Sequence, residues 1–304
     1  MKTNTLQGKT MLIAGGSGFI GTNLSIYLKN QGAKIINISR HPSPVGLKTH
    51  VLDLAETEKI SEILKDQNID YLMYLAGYSS PGKSPNEEET YHNNVRVTEN
   101  FLNLFKEKNL KGVMYASTGL VYDSTAPMPL VESSPVNPKH FYAKTKLEAE
   151  RIFQVFSEET TIPYGITRVS NAYGPYQWWE KNPLLIAQVI SQALLEKKIE
   201  VRSVTPIRDF VYVEDVVKAF VLLLENGCSG VFNVSTGKGK SIKDIVTYVS
   251  KRLNVPVVVK ETTTVPDRFI LDNMKIREAT GWEPLVDLEE GLEKTIEYFQ
   301  GVVK

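Results

Sequence analysis

The 304-residue chain holds a single cysteine, Cys228, which excludes an intramolecular disulfide framework and a cysteine-built zinc site. Alone, it reads as a small buried hydrophobe. The four histidines, His41, His50, His92 and His140, are scattered without a helical ligand spacing, so no metal is expected. An excess of charge of either sign is also missing. Thirty-five basic residues balance 35 acidic ones, so no field draws nucleic acid or an anionic membrane surface. Any phosphate must be held by a few placed groups. Long hydrophobic runs are lacking too: the polar start, residues 1–9, leads into a short apolar stretch that ends in glycines, neither a signal core nor a membrane span. A cytoplasmic protein is expected, without nucleic-acid or membrane partners. At 42% hydrophobic and 23% charged residues, the composition is that of a soluble globular chain of one large or two smaller domains.

What is present starts at residues 11–21, Met-Leu-Ile-Ala-Gly-Gly-Ser-Gly-Phe-Ile-Gly. An apolar strand runs into Gly15, Gly18 and Gly21, and a helical pattern follows to residue 31. A dinucleotide pyrophosphate needs that order. Gly15 turns the chain, Gly18 lets backbone N–H groups approach the phosphates, and Gly21 lets the helix pack close, its positive end toward the anion. Phe19 and Ile20 open the helix beside these contacts. Alone, the glycines equally suit any tight strand-to-helix turn.

Further strands are expected at residues 34–39, 50–54, 70–77, 112–117 and 164–168, with helices at residues 56–67, 87–108 and 141–156. This alternation implies a Rossmann-like α/β fold, a mostly parallel sheet covered on both faces, with the site beyond the carboxyl ends of its strands. At the end of the second strand, Ser39-Arg40 stands where an acidic residue would bind a ribose 2′-hydroxyl. Arg40 suits a 2′-phosphate, which favours NADP over NAD, although it also fits a solvated loop. Asp53-Leu54 is placed to reach the adenine, and Leu75-Ala76-Gly77 and Asn94 to line the cofactor.

The fifth strand ends in Ser117-Thr118, and Tyr142 and Lys146 are one helical turn apart on a following helix, so they share a face. A neighbouring ammonium is expected to lower the phenol's pKa, which is near ~10 when unperturbed. A tyrosine tuned this way can exchange a proton with a sugar hydroxyl while hydride moves at the adjacent carbon, and Thr118 can hydrogen-bond the same oxygen. A Tyr–Lys pair at this spacing also occurs as surface decoration, and Ser117 and Thr118 could simply cap a turn.

Taken together, these segments resemble the extended short-chain dehydrogenases/reductases of the nucleotide-sugar epimerase/dehydratase group. Gly15-x-x-Gly18-x-x-Gly21 and Tyr142-x-x-x-Lys146 match that pattern. So do Arg168-x-x-Asn171 with Tyr173-Gly174-Pro175, Arg208-Asp209-Phe210-Val211-Tyr212-Val213 with Asp215, Asn233-Val234-Ser235-Thr236-Gly237, and Gly281-Trp282-x-Pro284 with Gly291-Leu292. The resemblance runs nearly end to end. It implies Tyr142 as general acid/base, Lys146 holding the nicotinamide ribose, and Thr118 on the reacting oxygen. It also implies Asn171 near the sugar diphosphate, with Arg208 and Arg268 as candidate phosphate ligands, although either arginine suits a structural ion pair. A homodimer through the helices near residues 88–108 and 141–156 is implied as well.

Three departures matter. Ser39 replaces the acidic residue frequent in the family. Gly119-Leu120 follows Thr118 where 4,6-dehydratases carry Asp-Glu, which argues against dehydration. Residues 201–207 lack the usual glycine–aspartate–glycine turn. Trp178-Trp179, in a loop after Pro175, reads either as a stacking surface for the substrate or as hydrophobic cover. The expected division is a dinucleotide-binding domain at 1–171 plus 208–235 and a substrate domain at 172–207 plus 236–304. The leading expectation is an NADPH-dependent reductase of a nucleotide-diphospho-4-keto-(6-deoxy)hexose. The alternatives are a hexose 4-epimerase with retained NAD and a nicotinamide-nucleotide sensor without turnover.

Overall fold

Seven parallel strands form the main sheet of the computed structural model, which describes residues 5–78, 86–180, 183–261 and 267–303. The first four residues of the polar start lie outside this description. In chain order the strands are β1 (Thr10–Ala14), β2 (Lys34–Ser39), β3 (Thr49–Val51), β4 (Tyr71–Tyr74), β5 (Gly112–Thr118) and β6 (Tyr164–Val169). The chain then builds β7 (Asn171–Tyr173), β8 (Ile199–Val201) and β9 (Ile207–Tyr212) before returning as β10 (Gly230–Val234). The sheet order β10-β6-β5-β4-β1-β2-β3 reverses between β1 and β4, the crevice where such folds bind ligands.

Apolar strands buried on both sides need two covering layers. On one face, α1 (Phe19–Asn30) packs beneath the sheet; on the other lies α2 (Thr57–Leu64), followed by α3 (Glu87–Tyr91), α4 (Val97–Asn103) and α5 (Phe141–Thr160). The expected single helix over residues 87–108 is instead broken. A wide π turn at His92–Arg96 joins α3 to α4, and the helical run ends at Asn103. The widened turn carries the Asn94 side chain inward, where it accepts from the Tyr78 N–H at 2.8 Å and donates to Thr145 Oγ1 at 3.1 Å.

The second lobe contains α6 (Leu185–Leu195), α8 (Ile242–Leu253) and α10 (Leu288–Val302), with a core around Ile190, Phe210, Val246, Leu292 and Phe299. The intervening α7 (Val213–Glu225) packs on the main sheet beside α1. Strands β11 (Gly239–Ser241) and β13 (Arg268–Phe269) flank β9, which also pairs with β7, while β12 (Val257–Val259) pairs with β8. Two elements thus sit across the expected domain limits. β9 belongs to the small sheet, and α9 (Met274–Thr280) with Trp282 joins the core of the main one. Strand pairing places β9, and burial places α9: Ile276 and Trp282 pack with Phe220 and Phe232 beneath the main sheet. No helix among the described residues is long and apolar enough to cross a membrane.

Candidate active site

A cleft of about 1420 Å³ runs along the carboxyl ends of β1, β4 and β5 and reaches into the second lobe. At its upper end the β1–α1 turn has the form that a pyrophosphate requires. Gly15 adopts φ +89°, and a Cβ there would lie 2.8 Å from the Ala76 nitrogen. A Cβ on Gly21 would lie 2.3 Å from the Gly15 carbonyl oxygen, so α1 can approach the turn only with glycine. No side chain caps α1, whose first residues Gly18, Phe19 and Ile20 line the cleft. An uncapped helix start facing a cavity is a ready anion site.

Ser39, Arg40, Asp53, Leu54, Leu75, Ala76 and Gly77 also line the cleft. The Arg40 guanidinium lies 5.4 Å from the centre of the Tyr78 ring. Two buried polar atoms of the wall, Ser170 Oγ and Gln177 Oε1, have no hydrogen-bond partner among the described residues. Glycine cradle, uncapped helix and orphaned polar atoms all fit an elongated dinucleotide with a polar ligand beside it. Asn94, expected in contact with the cofactor, is instead buried behind the wall. Its bonds to Tyr78 and Thr145 make it a prop for the Gly77–Tyr78 turn.

At the floor, β5 and α5 bring Thr118, Tyr142 and Lys146 together as expected from their spacing. The Lys146 Nζ donates to the Ala116 carbonyl at 2.8 Å and lies 4.6 Å from the centre of the Tyr115 ring. Burial brings its ammonium down to about 8, with the Glu150 carboxylate pulling the other way. Tyr142 departs from the sequence expectation, because its pKa is raised rather than lowered. Burial of the phenol dominates, and hydrogen bonding with the Thr118 hydroxyl offsets part of it. Lys146 makes no hydrogen bond to Tyr142 among the described residues, since its ammonium is held by the β5 backbone.

Behind the pair lies a charged cluster whose role sequence reasoning passed over. Arg168 of β6 binds Glu150 of α5 through Nη2 at 2.7 Å and Nε at 3.1 Å, with both side chains buried. Ser117 Oγ donates to the same carboxylate. A signal was available: Glu150 falls four residues after Lys146, on a helix face otherwise occupied by Ala149, Phe153 and Phe156.

Toward the second lobe, Asn171 lines the cleft and donates to the Asp209 carbonyl at 3.0 Å. Arg208 also lines it, but its guanidinium is engaged by Asp267, with Nη2 to Oδ2 at 2.5 Å and Nη1 to the carbonyl at 2.8 Å. Arg268 is not brought to the cleft. In the two-residue strand β13, alternation turns Phe269 inward and leaves Arg268 exposed. Val265 and Pro266, just ahead, lie outside the described residues. Trp178 and Trp179 both line the cleft mouth, with Trp178 half exposed and Trp179 packed against the second-lobe core. Asp209, adjacent to Arg208, has no solvent exposure. It accepts from Thr236 N and Oγ1 at 2.9 and 2.6 Å and from Gly237 N at 3.0 Å.

Residues 11–235 match the NAD dependent epimerase/dehydratase family. The chain belongs to that family. Family relatives of known reaction share most of its length. The human dTDP-D-glucose 4,6-dehydratase is 28% identical, over 96% of this chain and 90% of that protein. The crystal structure of UDP-glucose 4-epimerase with UDP-glucose from Thermotoga maritima superimposes with a TM-score of 0.88 at 26% identity, covering 97% of this chain and all of the other. A variant of UDP-glucuronic acid 4-epimerase from Bacillus cereus, in complex with UDP-4-deoxy-4-fluoro-glucuronic acid and NAD, gives a TM-score of 0.84 at 25% identity, over 96% and 99% of the two chains. Family membership makes the chain an enzyme of the NAD-dependent nucleotide-sugar epimerase/dehydratase family.

Proposed function

We propose that this protein interconverts the C4 stereoisomers of a nucleotide-diphospho-hexose, with uridine diphosphate sugars the first to test. The observation that carries the reading is the Thr118–Tyr142 hydroxyl pair on the floor of a cleft with a glycine cradle at one end. When bound, a nicotinamide supplies the acceptor and donor of hydride for the sugar carbon. Gly15, Gly18, Phe19 and Ile20 would hold its pyrophosphate. Ser39, Arg40, Asp53 and Leu54 would flank the adenosine, and Leu75, Ala76, Gly77 and Ser117 the middle of the molecule.

The remaining work falls to the chain. Tyr142 takes the proton of the C4 hydroxyl and returns it to the same oxygen. Its buried hydroxyl resists ionisation, so the positive charge of Lys146 and the hydrogen bond from Thr118 are needed to favour the phenolate. Thr118 fixes the oxygen's orientation. Asn171 and Arg208 flank the expected diphosphate position, and the Trp178–Trp179 loop covers the sugar end. Dehydration has no support in the chain's own residues: Gly119 and Leu120, after Thr118, supply neither acid nor base. Relatives that carry out C4 epimerisation favour the same reading.

A second reading has one observation behind it. β2 ends without a carboxylate, and the Arg40 guanidinium sits at the cleft edge, an arrangement that suits a 2′-phosphate. NADPH-dependent reduction of a 4-keto-(6-deoxy)hexose follows if that preference holds. The intact Tyr142–Lys146 pair argues against a sensor without turnover. Incubation with NAD and UDP-glucose, followed by chromatography, separates the two readings. UDP-galactose without net NADH supports epimerisation. No epimer, with stoichiometric NADPH consumption against a 4-keto-6-deoxy sugar, would replace it by the reductase. The second-lobe assignment of the substrate and a homodimer through the α3–α4 and α5 faces belong to the same proposal.

A further inference from the structure

Three consecutive residues of β5, Ala116, Ser117 and Thr118, lie against three residues spaced by single turns on α5, Tyr142, Lys146 and Glu150. The Ala116 carbonyl accepts from Lys146, Ser117 Oγ donates to Glu150, and Thr118 lines the cleft with Tyr142. Glu150 is the last of the three along α5 and the only charged one besides Lys146. Its carboxylate is saturated from the far side by Arg168, which also stacks 4.7 Å from the centre of the Tyr122 ring and donates to the Glu132 carbonyl at 3.4 Å. Arg168 is thereby fixed from β6, the neighbour of β5 in the sheet.

We infer that Glu150, clamped by Arg168 and Ser117, is a positioning residue that sets α5 against β5 and supplies the counter-charge keeping Lys146 an ammonium beside Tyr142. The groups facing Lys146 are Glu150 and Tyr142 on its own helix and Tyr115 and the Ala116 carbonyl on β5, with Arg168 reaching it only through Glu150. Among these, Glu150 alone is a carboxyl group, ion-paired with Arg168. A buried ammonium without such a charge loses its proton more readily. The clamp therefore acts through Lys146, and its two ends act in opposite directions. Removing Glu150 lowers the pH at which Lys146 deprotonates. Removing Arg168 leaves Glu150 to Lys146 alone and raises it.

This inference rests on the reading of Tyr142 and Lys146 as the proton-transfer pair, but its test does not require turnover. In full-length protein carrying 13Cε-lysine, the Lys146 resonance is assigned by its loss in Lys146→Arg and followed against pH. The wild-type midpoint is expected near pH 8. Glu150→Gln should move it to lower pH by about one pH unit, and Arg168→Met to higher pH. Midpoints that stay together, or move in the same direction, overturn the inference. Should Glu150→Gln fail to fold, Glu150→Met/Arg168→Met removes both charges together, which cores commonly tolerate, and it too should titrate below wild type. Under turnover, the basic limb of kcat should follow the same displacements with KM little changed. Tyr142→Phe is measured in parallel. If it retains wild-type kcat, the functional reading fails, while the titration still decides the role of Glu150.

Discussion

Lys146 Nζ lies 2.8 Å from the carbonyl oxygen of Ala116, two residues before Thr118 in β5. One backbone acceptor thus fixes the ammonium in the strand that carries the other hydroxyl of the site. Lys146 stands one helical turn after Tyr142 on α5, and both line the cleft with Thr118. The burial that raises Tyr142 also lowers Lys146, so each charged form depends on the other being present in the loaded cleft.

Tyr142→Phe removes the hydroxyl proposed to carry the proton and leaves its ring in place. Turnover is expected to fall by roughly 10² to 10⁴, with circular dichroism and melting temperature near wild type. Thr118→Val, which keeps the strand geometry, should lower kcat by roughly 10² with a smaller effect on KM. Steady-state kinetics check both.

Gly21→Ala tests the β1–α1 turn. The added methyl would meet the Gly15 carbonyl oxygen at 2.3 Å and the Gly16 Cα at 2.7 Å, both backbone atoms that cannot swing aside. A loss of about 1–3 kcal/mol in denaturant unfolding is expected, with weaker dinucleotide binding by titration calorimetry. Gly301→Ala, where a Cβ meets nothing within 4 Å, is the matched control.

Asp209 gives a pH prediction. Burial pushes its carboxyl up to about 6, against hydrogen bonds from Thr236, Gly237 and Leu271 that pull it down. A carboxyl raised above its unfolded value of about 3.9 contributes stability fully below pH ~4, and that contribution is lost as pH rises through about 6. The unfolding free energy of wild type relative to Asp209→Asn should therefore decline by about 2–3 kcal/mol over this window. A constant difference between the two proteins from pH 4 to 7 would show that the hydrogen bonds, not burial, prevail.

Arg40→Ala bears on the cofactor. If the guanidinium at the cleft edge holds a 2′-phosphate, the substitution should weaken NADPH binding by roughly tenfold or more and leave NADH binding unchanged. Equal effects on both would return Arg40 to the surface. Fluorescence titration of the two reduced nucleotides measures this.

Local signals made much of the site legible in the sequence. Strand β2 occupies the expected span at Lys34–Ser39, because β-branched residues between Gly32 and Arg40 leave few alternatives. Tyr142, Lys146 and Thr118 converge because helical spacing and strand end are both short-range properties. What escaped was set by partners distant in sequence. Asn94 reads as a polar residue on a helix, and only the π turn and Tyr78 turn it away from the cleft. Arg268 sits in a strand too short for its alternation to be read. Glu150 has a place on the α5 face, but its partner Arg168 lies across the sheet on β6. In sequence β9 reads with the elements that follow it, whereas its hydrogen bonds run to β7, β11 and β13.

The most direct test follows the hydrogen at the reacting carbon. UDP-[4-2H]glucose is incubated with the purified protein and NAD in ordinary water, and UDP-galactose is isolated for NMR and mass spectrometry. Deuterium retained at C4 of the epimer is the expected result, since the same hydrogen leaves and returns within one cleft. An epimer carrying solvent hydrogen at C4, or deuterium found only in released reduced nicotinamide, would contradict hydride return within the site.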